Sequence, residues 1–320
     1  MKNSTIALAV LAAIAALPAA AQTYPNRPIR LVVPSSPGGG TDITGRIVAN
    51  KLSEQLGQQV VVDNRAGAGT IIGIEIAAKA PPDGYTLLMG LSTLAINPSM
   101  YAKLPYDALR DLAPISLAVL SPNILTVHPS VPAKTVKEFI ALAKAKPGTI
   151  TFGSAGQATS PHLSGELLKV LAKIDIVHVP FKGSGQSVIS SISGEIAANF
   201  PSVPTAIPYI KAGKLRGLGV TMAKRTAALP DVPSIAEAGV PGYEATQWFG
   251  MLAPAGTPRP IIDRLNHEMV KLLKSPEVRD RLIADGTDPA PTTPEEFGAY
   301  IKSETEKWTK VIKAAGIKPQ

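Results

Sequence analysis

Short apolar runs that break into Gly-, Ser- and Thr-rich loops and then into helices recur along this chain, and that alternation constrains its fold more than any other feature. Residues 28–33 read as a buried strand that runs into Pro34-Ser35-Ser36-Pro37-Gly38-Gly39-Gly40. A helix follows, with Ile43, Ile47, Leu52 and Leu56 on its apolar face and Gly57 at its end. Thr41 or Asp42 stands where its N-cap belongs, so Asp42 reads as a capping residue rather than an acid. Val60-Val61-Val62 begins a second unit through the loop 63–70 into a helix over 71–80, and a third strand over 85–89 opens into Gly90-Leu91-Ser92-Thr93. Such alternation predicts a parallel sheet with helices on both faces and ligands at the carboxyl ends of its strands. The first N–H groups of a helix lack partners and the helix dipole is positive there, so these loops suit an anion.

From about Asn123 the pattern restarts. Strands are expected over 124–127, 149–152, 176–179, 196–200 and 215–220, and helices over 135–144, 161–172, from 186, and over 204–212. Two loops, 153–160 and 180–185, open helices in this half. Residues 223–242 read as an irregular connection, 247–252 as a strand, 260–273 as a helix, and 294–314 as a helix that Thr293 can cap. If the last helices pack on the first lobe, the chain crosses between lobes near 120–127 and 243–252. Two crossings make a hinge. The lobes are then 22–123 plus 249–320, and 124–248.

The apolar run 6–17 after Lys2, ending in Ala19-Ala20-Ala21, has the form of a secretory signal cleaved near Ala21, and it is shorter than the roughly 20 residues that span a bilayer. No second long apolar run follows, which predicts a soluble mature protein. Loss of residues 1–21 removes Lys2, leaving 31 basic against 24 acidic residues, a net charge of +7. The basic residues are dispersed with few aromatics among them, so nucleic acid is not an expected partner; a mild positive field suits small acidic solutes. With no cysteine, neither disulfides nor thiolate metal sites are available.

Residues 37–40 are followed by no Gly-Lys-Ser/Thr, so they do not make a nucleoside-triphosphate loop. Gly67-Ala68-Gly69-Thr70-Ile71-Ile72-Gly73 is spaced GxGxxxG, and Leu87-Leu88-Met89 stands where a dinucleotide site needs an acid, so no cofactor is expected. Neither a Gly-x-Ser-x-Gly elbow nor a His-Glu-x-x-His motif is present, and no metal site or catalytic residue is assigned. His162 follows a polar loop and faces either the ligand or the core; His128 and His178 read as packing residues. Lys182 reads as a surface lysine or as a partner for an acidic ligand. Micromolar affinity needs about 8 kcal/mol, whereas one helix terminus supplies at most about 2 and a hydrogen bond to a charged group about 1.5–3. Donors must therefore converge from both lobes, and binding should close the hinge.

Several ordered motifs carry a family resemblance: Pro34-Ser35-Ser36-Pro37-Gly38-Gly39-Gly40-Thr41-Asp42-Ile43, Val62-Asp63-Asn64-Arg65-Ala66-Gly67-Ala68-Gly69 and Pro81-Pro82-Asp83-Gly84-Tyr85-Thr86-Leu87. They continue through Asn97-Pro98, the helix from His162 to Leu167, Val179-Pro180-Phe181-Lys182-Gly183, Leu229-Pro230-Asp231-Val232-Pro233 and Ala253-Pro254-Ala255-Gly256-Thr257-Pro258. Over essentially the whole mature chain the sequence resembles the Bug proteins, the TctC-like extracytoplasmic solute receptors of tripartite tricarboxylate transporters. The resemblance implies a periplasmic, two-lobed Venus flytrap of type II-like form, each lobe a mixed, mostly parallel sheet flanked by helices. It also implies that small carboxylates are captured between the lobes, partly through ordered waters. Carried over by position, it places Ser35, Gly38, Gly39, Gly40, Asp42, Ala68, Gly69, Thr70, Ser92 and Thr93 on one side of the ligand. Ser154, Gln157, Thr159, His162, Lys182, Gly183, Ser184 and Pro201 then face them.

Two positions depart from the family pattern: Ser35 stands where Phe is usual, and Pro201 where many members carry an Asp that could hold an amino group. A dicarboxylate, an aromatic carboxylate or another organic acid is therefore favoured over an amino acid. The resemblance implies delivery to the transporter's membrane subunits by a monomer. The alternative is a receptor that signals to a sensor kinase, and an enzyme ranks third.

Overall fold

The computed structural model describes residues 24–314 together with 317 and 319, so the expected signal over 1–21 lies outside the described residues. Strands β1 (Ile29–Val33), β2 (Val60–Asn64) and β3 (Thr86–Leu91) alternate with helices α1 (Gly40–Leu56), α2 (Ile71–Ala78) and α3 (Thr93–Met100). A long strand, β4 (Leu112–Pro122), follows. Next come β5 (Ile124–Val127), α4 (Val136–Ala145), β6 (Thr151–Ser154), α5 (Ser160–Ala172), β7 (Val177–Pro180), α6 (Ser184–Ile192), β8 (Ala198–Asn199), α7 (Val203–Lys211) and β9 (Arg216–Val220). The chain closes with β10 (Thr246–Pro254), α8 (Arg259–Lys274), α9 (Pro276–Ala284), β11 (Asp288–Pro289) and α10 (Pro294–Ala314).

Two sheets result, one ordered β11-β4-β10-β3-β1-β2 and the other β7-β6-β8-β5-β9. In the first, Ile29, Leu31 and Val33 of β1 pack into one cluster with Leu87 and Met89 of β3 and Phe249 and Met251 of β10, beneath α1 and α8. Val32, Leu88, Trp248 and Leu252 point the other way, toward α2, α3 and α10. Alternate residues thus feed opposite faces, and both are apolar because helices cover both. The sheets are mixed as expected but not mostly parallel. Parallel pairing is confined to β2-β1-β3 and β7-β6-β8, while β10 runs antiparallel to β3 and β4, and β5 antiparallel to β8 and β9. β4 passes directly into β5 through Asn123 with no helix between them, so the chain leaves the first sheet and enters the second in one step.

The chain returns to the first sheet at β10, where Thr246, Gln247 and Trp248 pair with Pro122, Ser121 and Leu120, three residues ahead of the division expected at 249. The two crossings are tied side by side. Asn123 N–H donates to Thr221 Oγ1 at 2.9 Å, Thr221 N–H to the Asn123 carbonyl at 2.9 Å, and Ala245 N–H to the Thr221 carbonyl at 2.9 Å. The last helix packs on α3 and β4, back on the first sheet.

Candidate functional site

A cleft of about 750 Å³ lies between the sheets, walled by the loops at the carboxyl ends of β1, β2, β6 and β7. Five helices start on it: the N-caps of α1 (Gly39), α2 (Thr70), α5 (Thr159), α6 (Gly183) and α7 (Ser202) all line it. None of the five takes a side-chain capping bond. Away from the cleft, Thr135 caps α4 by accepting from Glu138 N–H at 3.1 Å, and Thr293 and Glu296 form a reciprocal capping box on α10. At the cleft, Pro161 and Pro204 bring no N–H and Thr205 and Ile71 bond the Ser202 and Ala68 carbonyls, so a ligand is offered the remaining first-turn N–H groups and the positive ends of the dipoles. Lys182, exposed at the mouth, is the one charged side chain in the lining, and no carboxylate joins it. Pro34, Leu91, Tyr101, Pro161, Pro180 and Phe181 supply apolar wall. Among the described residues no group of three or more His, Cys, Asp or Glu is placed to hold a metal.

Of the residues singled out from sequence, Ser35, Gly39, Gly40, Ala68, Gly69, Thr70, Gln157, Thr159, Lys182, Gly183 and Ser184 line this cleft. Gly38 does not, being exposed at the tip of the first loop, and neither do Asp42, Ser92, Thr93, Ser154, His162 and Pro201, which are buried behind it. Asp42 is buried and spent on structure. It accepts from Gly38 N–H at 2.9 Å and from the Asn64 amide at 2.9 Å, and pairs with Arg46 at 3.0 Å. It is the third residue of α1 and reaches back across the first turn. The N-cap is therefore Gly39, rather than Thr41 or Asp42. Thr93 Oγ1 lies 2.7 Å from Thr70 Oγ1, which places the third loop beneath the second, and Ser92 is fully buried. Pro201 is buried one residue short of the lining Ser202, and its carbonyl accepts Ile124 N–H at 2.9 Å.

Behind the second-lobe loop, Ser154 Oγ bonds the Gly156 backbone and lies 2.6 Å from His178 Nε2. His162 Nδ1 accepts from Ala158 N–H at 3.3 Å, and the two imidazoles stack with centroids 4.0 Å apart. Burial, reinforced by the Lys169 charge, pulls His162 down to about 4. Burial, then His162 and Lys169, pull His178 down to about 3. Both rings are neutral near pH 7.

Backbone strain concentrates on the same loops. Ala68, Thr70 and Ala158 have positive φ, and for β-branched Thr70, at +83°, that conformation is an outlier worth about 1–3 kcal/mol. The rims also meet closely. A Cβ on Gly69, which has φ +60°, would lie 2.7 Å from the Gln157 carbonyl oxygen, and one on Gly183 would collide with the Ser36 side chain. Sequence reading passed over Tyr101, Gln186, Ser202 and Gln247, which also line the cleft. For Gln247 the available signal was a lone amide ahead of the apolar run Trp248-Phe249-Gly250-Met251-Leu252.

A cleft of this build between two α/β lobes defines a solute receptor. The chain belongs to the tripartite tricarboxylate transporter receptor family: the family model, "Tripartite tricarboxylate transporter family receptor" (TctC), matches residues 44–317. Protein BugT of Bordetella pertussis is 37% identical over 98% of this chain and 97% of its own. The solved structure of R. palustris Rpa4515 with adipate is 36% identical and superposes with a TM-score of 0.91 over 93% of this chain and 100% of that one. MatC from Rhodopseudomonas palustris with bound malate is 29% identical, with a TM-score of 0.84 over 90% of this chain and 100% of that one. The family and these neighbours are solute-binding receptors rather than enzymes. The resemblance and the two-lobed α/β fold read from the sequence are thereby borne out.

Proposed function

We propose that this chain, exported to the periplasm by a signal over residues 1–21, closes a first lobe of 22–123 with the chain from β10 onward against a second lobe that begins at 124, on a small organic carboxylate, and delivers it, as a monomer, to a tripartite tricarboxylate-type membrane transporter. The observation that carries this reading is the convergence of five helix N-termini without side-chain caps on one cleft whose single charged side chain is Lys182. Termini from both lobes together match the roughly 8 kcal/mol of micromolar binding that one cannot reach. The ligand contacts fall to Ser35, Gly39, Gly40, Ala68, Gly69 and Thr70 on one side and to Gln157, Thr159, Lys182, Gly183 and Ser184 on the other. A ligand ammonium finds no carboxylate in the lining, because Asp42 is turned away, so the solute is an organic acid without an amino group. The adipate and malate named with two relatives are such acids.

Thermal shift against a panel of organic acids tests the reading. A ligand at a hundredfold excess over Kd adds about 2.7 kcal/mol, which is readily seen as a rise in Tm. If no carboxylate at millimolar concentration moves Tm, the reading is overturned. Loss of uptake of the identified acid on gene deletion supports delivery to a transporter. Intact uptake with lost ligand-dependent transcription assigns the protein to a sensor kinase instead.

A further inference from the structure

β10 is buried along its whole length, and Gln247 is the residue in it with a side chain that needs hydrogen-bond partners on more than one atom. It is 6% exposed and lines the cleft, and its Oε1 has no hydrogen-bond partner within the protein. A buried amide left this way destabilises the fold, so its retention calls for a use. The cross-strand neighbour in register, Ser121, does not take it, and its own Oγ is also unpartnered.

The pleat sets the direction of the side chain. Gln247 and Phe249 share one face of β10, ahead of the bulge at Phe249/Gly250. The Phe249 ring packs against Gly40, the first residue of α1, where Ser202 of the other lobe also arrives. Gln247 thus lies at the hinge end of the cleft, on the side of the α1 and α7 N-termini.

We propose that Gln247 is a specificity-determining residue of this site: its amide hydrogen-bonds a hydroxyl that the ligand carries near its anchored carboxylate, so hydroxy acids are preferred to the matching plain acids. This rests on the carboxylate reading above. A primary amide offers both a donor and an acceptor, and so does a hydroxyl, so the match holds whichever way the amide is turned. A carboxylate offers only acceptors and leaves the amide oxygen unpaired. A methylene leaves the whole group unpaired. Sites built around a buried polar group discriminate through the cost of leaving it unmatched.

The test is calorimetric titration of matched acids, malate with succinate, lactate with propionate and mandelate with phenylacetate, into the wild-type protein, Gln247→Leu and Gln247→Met. In at least one pair the wild type binds the hydroxy acid about tenfold or more tightly. Both variants bring that pair within about twofold because the hydroxy acid loses more affinity than the plain acid does, and unliganded Gln247→Leu melts higher than the wild type because the unpaired amide is gone. Two results overturn the inference: plain acids bind the wild type as tightly as hydroxy acids in every pair, or the preference survives in the variants. If Gln247→Leu does not fold, Gln247→Met decides. If no carboxylate binds the wild type, the carboxylate reading itself has failed and takes this inference with it.

Discussion

The loop that opens α1 and the loop that opens α5 lie on opposite sides of the cleft, and each is held by a layer of side chains behind it. On the first lobe that layer is ionic: the Asp42 carboxylate holds Gly38 N–H, the Asn64 amide and Arg46, and Asn64 in turn donates to the Ser35 carbonyl at 3.0 Å. On the second lobe it is neutral, with His178 on Ser154 and His162 on Ala158. The difference teaches that the two rims reach the same end by different chemistry, a carboxylate gathering donors on one side and two buried neutral imidazoles on the other.

Removing the ionic brace has the largest expected effect. Asp42→Ala deprives Gly38 N–H and the Asn64 amide of a charged acceptor, each such bond being worth about 1.5–3 kcal/mol. Stability measured by urea unfolding should fall by about 4 kcal/mol, and affinity should fall with it as the first loop loosens. A loss below about 1 kcal/mol would mean that the loop holds its own shape and that the contrast between the rims is unimportant.

The neutral brace should fail on acidification. In the fold His162 titrates near 4, pulled down chiefly by burial, whereas in the unfolded chain it titrates near its ordinary 6.5. Between these values the unfolded chain binds the additional proton, so stability declines as pH falls from about 6.5 toward 4. His162 alone accounts for roughly 3 kcal/mol at the end of that window. His162→Gln keeps an acceptor for Ala158 N–H and removes the titration. Urea unfolding at pH 7 and pH 4.5 should therefore show a smaller acid loss in the variant, and equal losses in the two proteins would remove His162 from the brace.

How much of this was legible beforehand depends on whether the signal is local. The Gly-, Ser- and Thr-rich loops announce themselves, because the residues that shape a strand-to-helix turn are contiguous; the loops that hold Gly39, Gly69, Thr159 and Gly183 are legible that way, and the family resemblance then carries those residues to the ligand. β4 went unread because Pro114 and Ser116 interrupt its apolar run, and it is a strand because β10 and β11 flank it. Tyr101, Ser202 and Gln247 reach the cleft through packing between segments far apart in sequence, which no local pattern encodes. Asp42 shows the reverse case. Its neighbourhood predicts a cap, but only the fold shows that Asn64, 22 positions on, turns its carboxylate away from the ligand.

The smallest expected effect is the cleanest probe of how the rims meet. Gly183 has φ 165°, an extended conformation open to any residue, so Gly183→Ala introduces no backbone strain. What its Cβ meets is the Ser36 side chain of the opposite lobe. Gly69→Ala would be less informative, since φ +60° adds strain within one lobe to the encounter between lobes. Overpacking of this kind costs about 1–3 kcal/mol, and here it applies only when the lobes are closed. Melting of the unliganded Gly183→Ala protein should match the wild type, while affinity for the identified acid should fall by roughly thirtyfold, the equivalent of about 2 kcal/mol. Unchanged affinity would mean that the ligand is held with the rims further apart than they stand here, and that the two braces act independently.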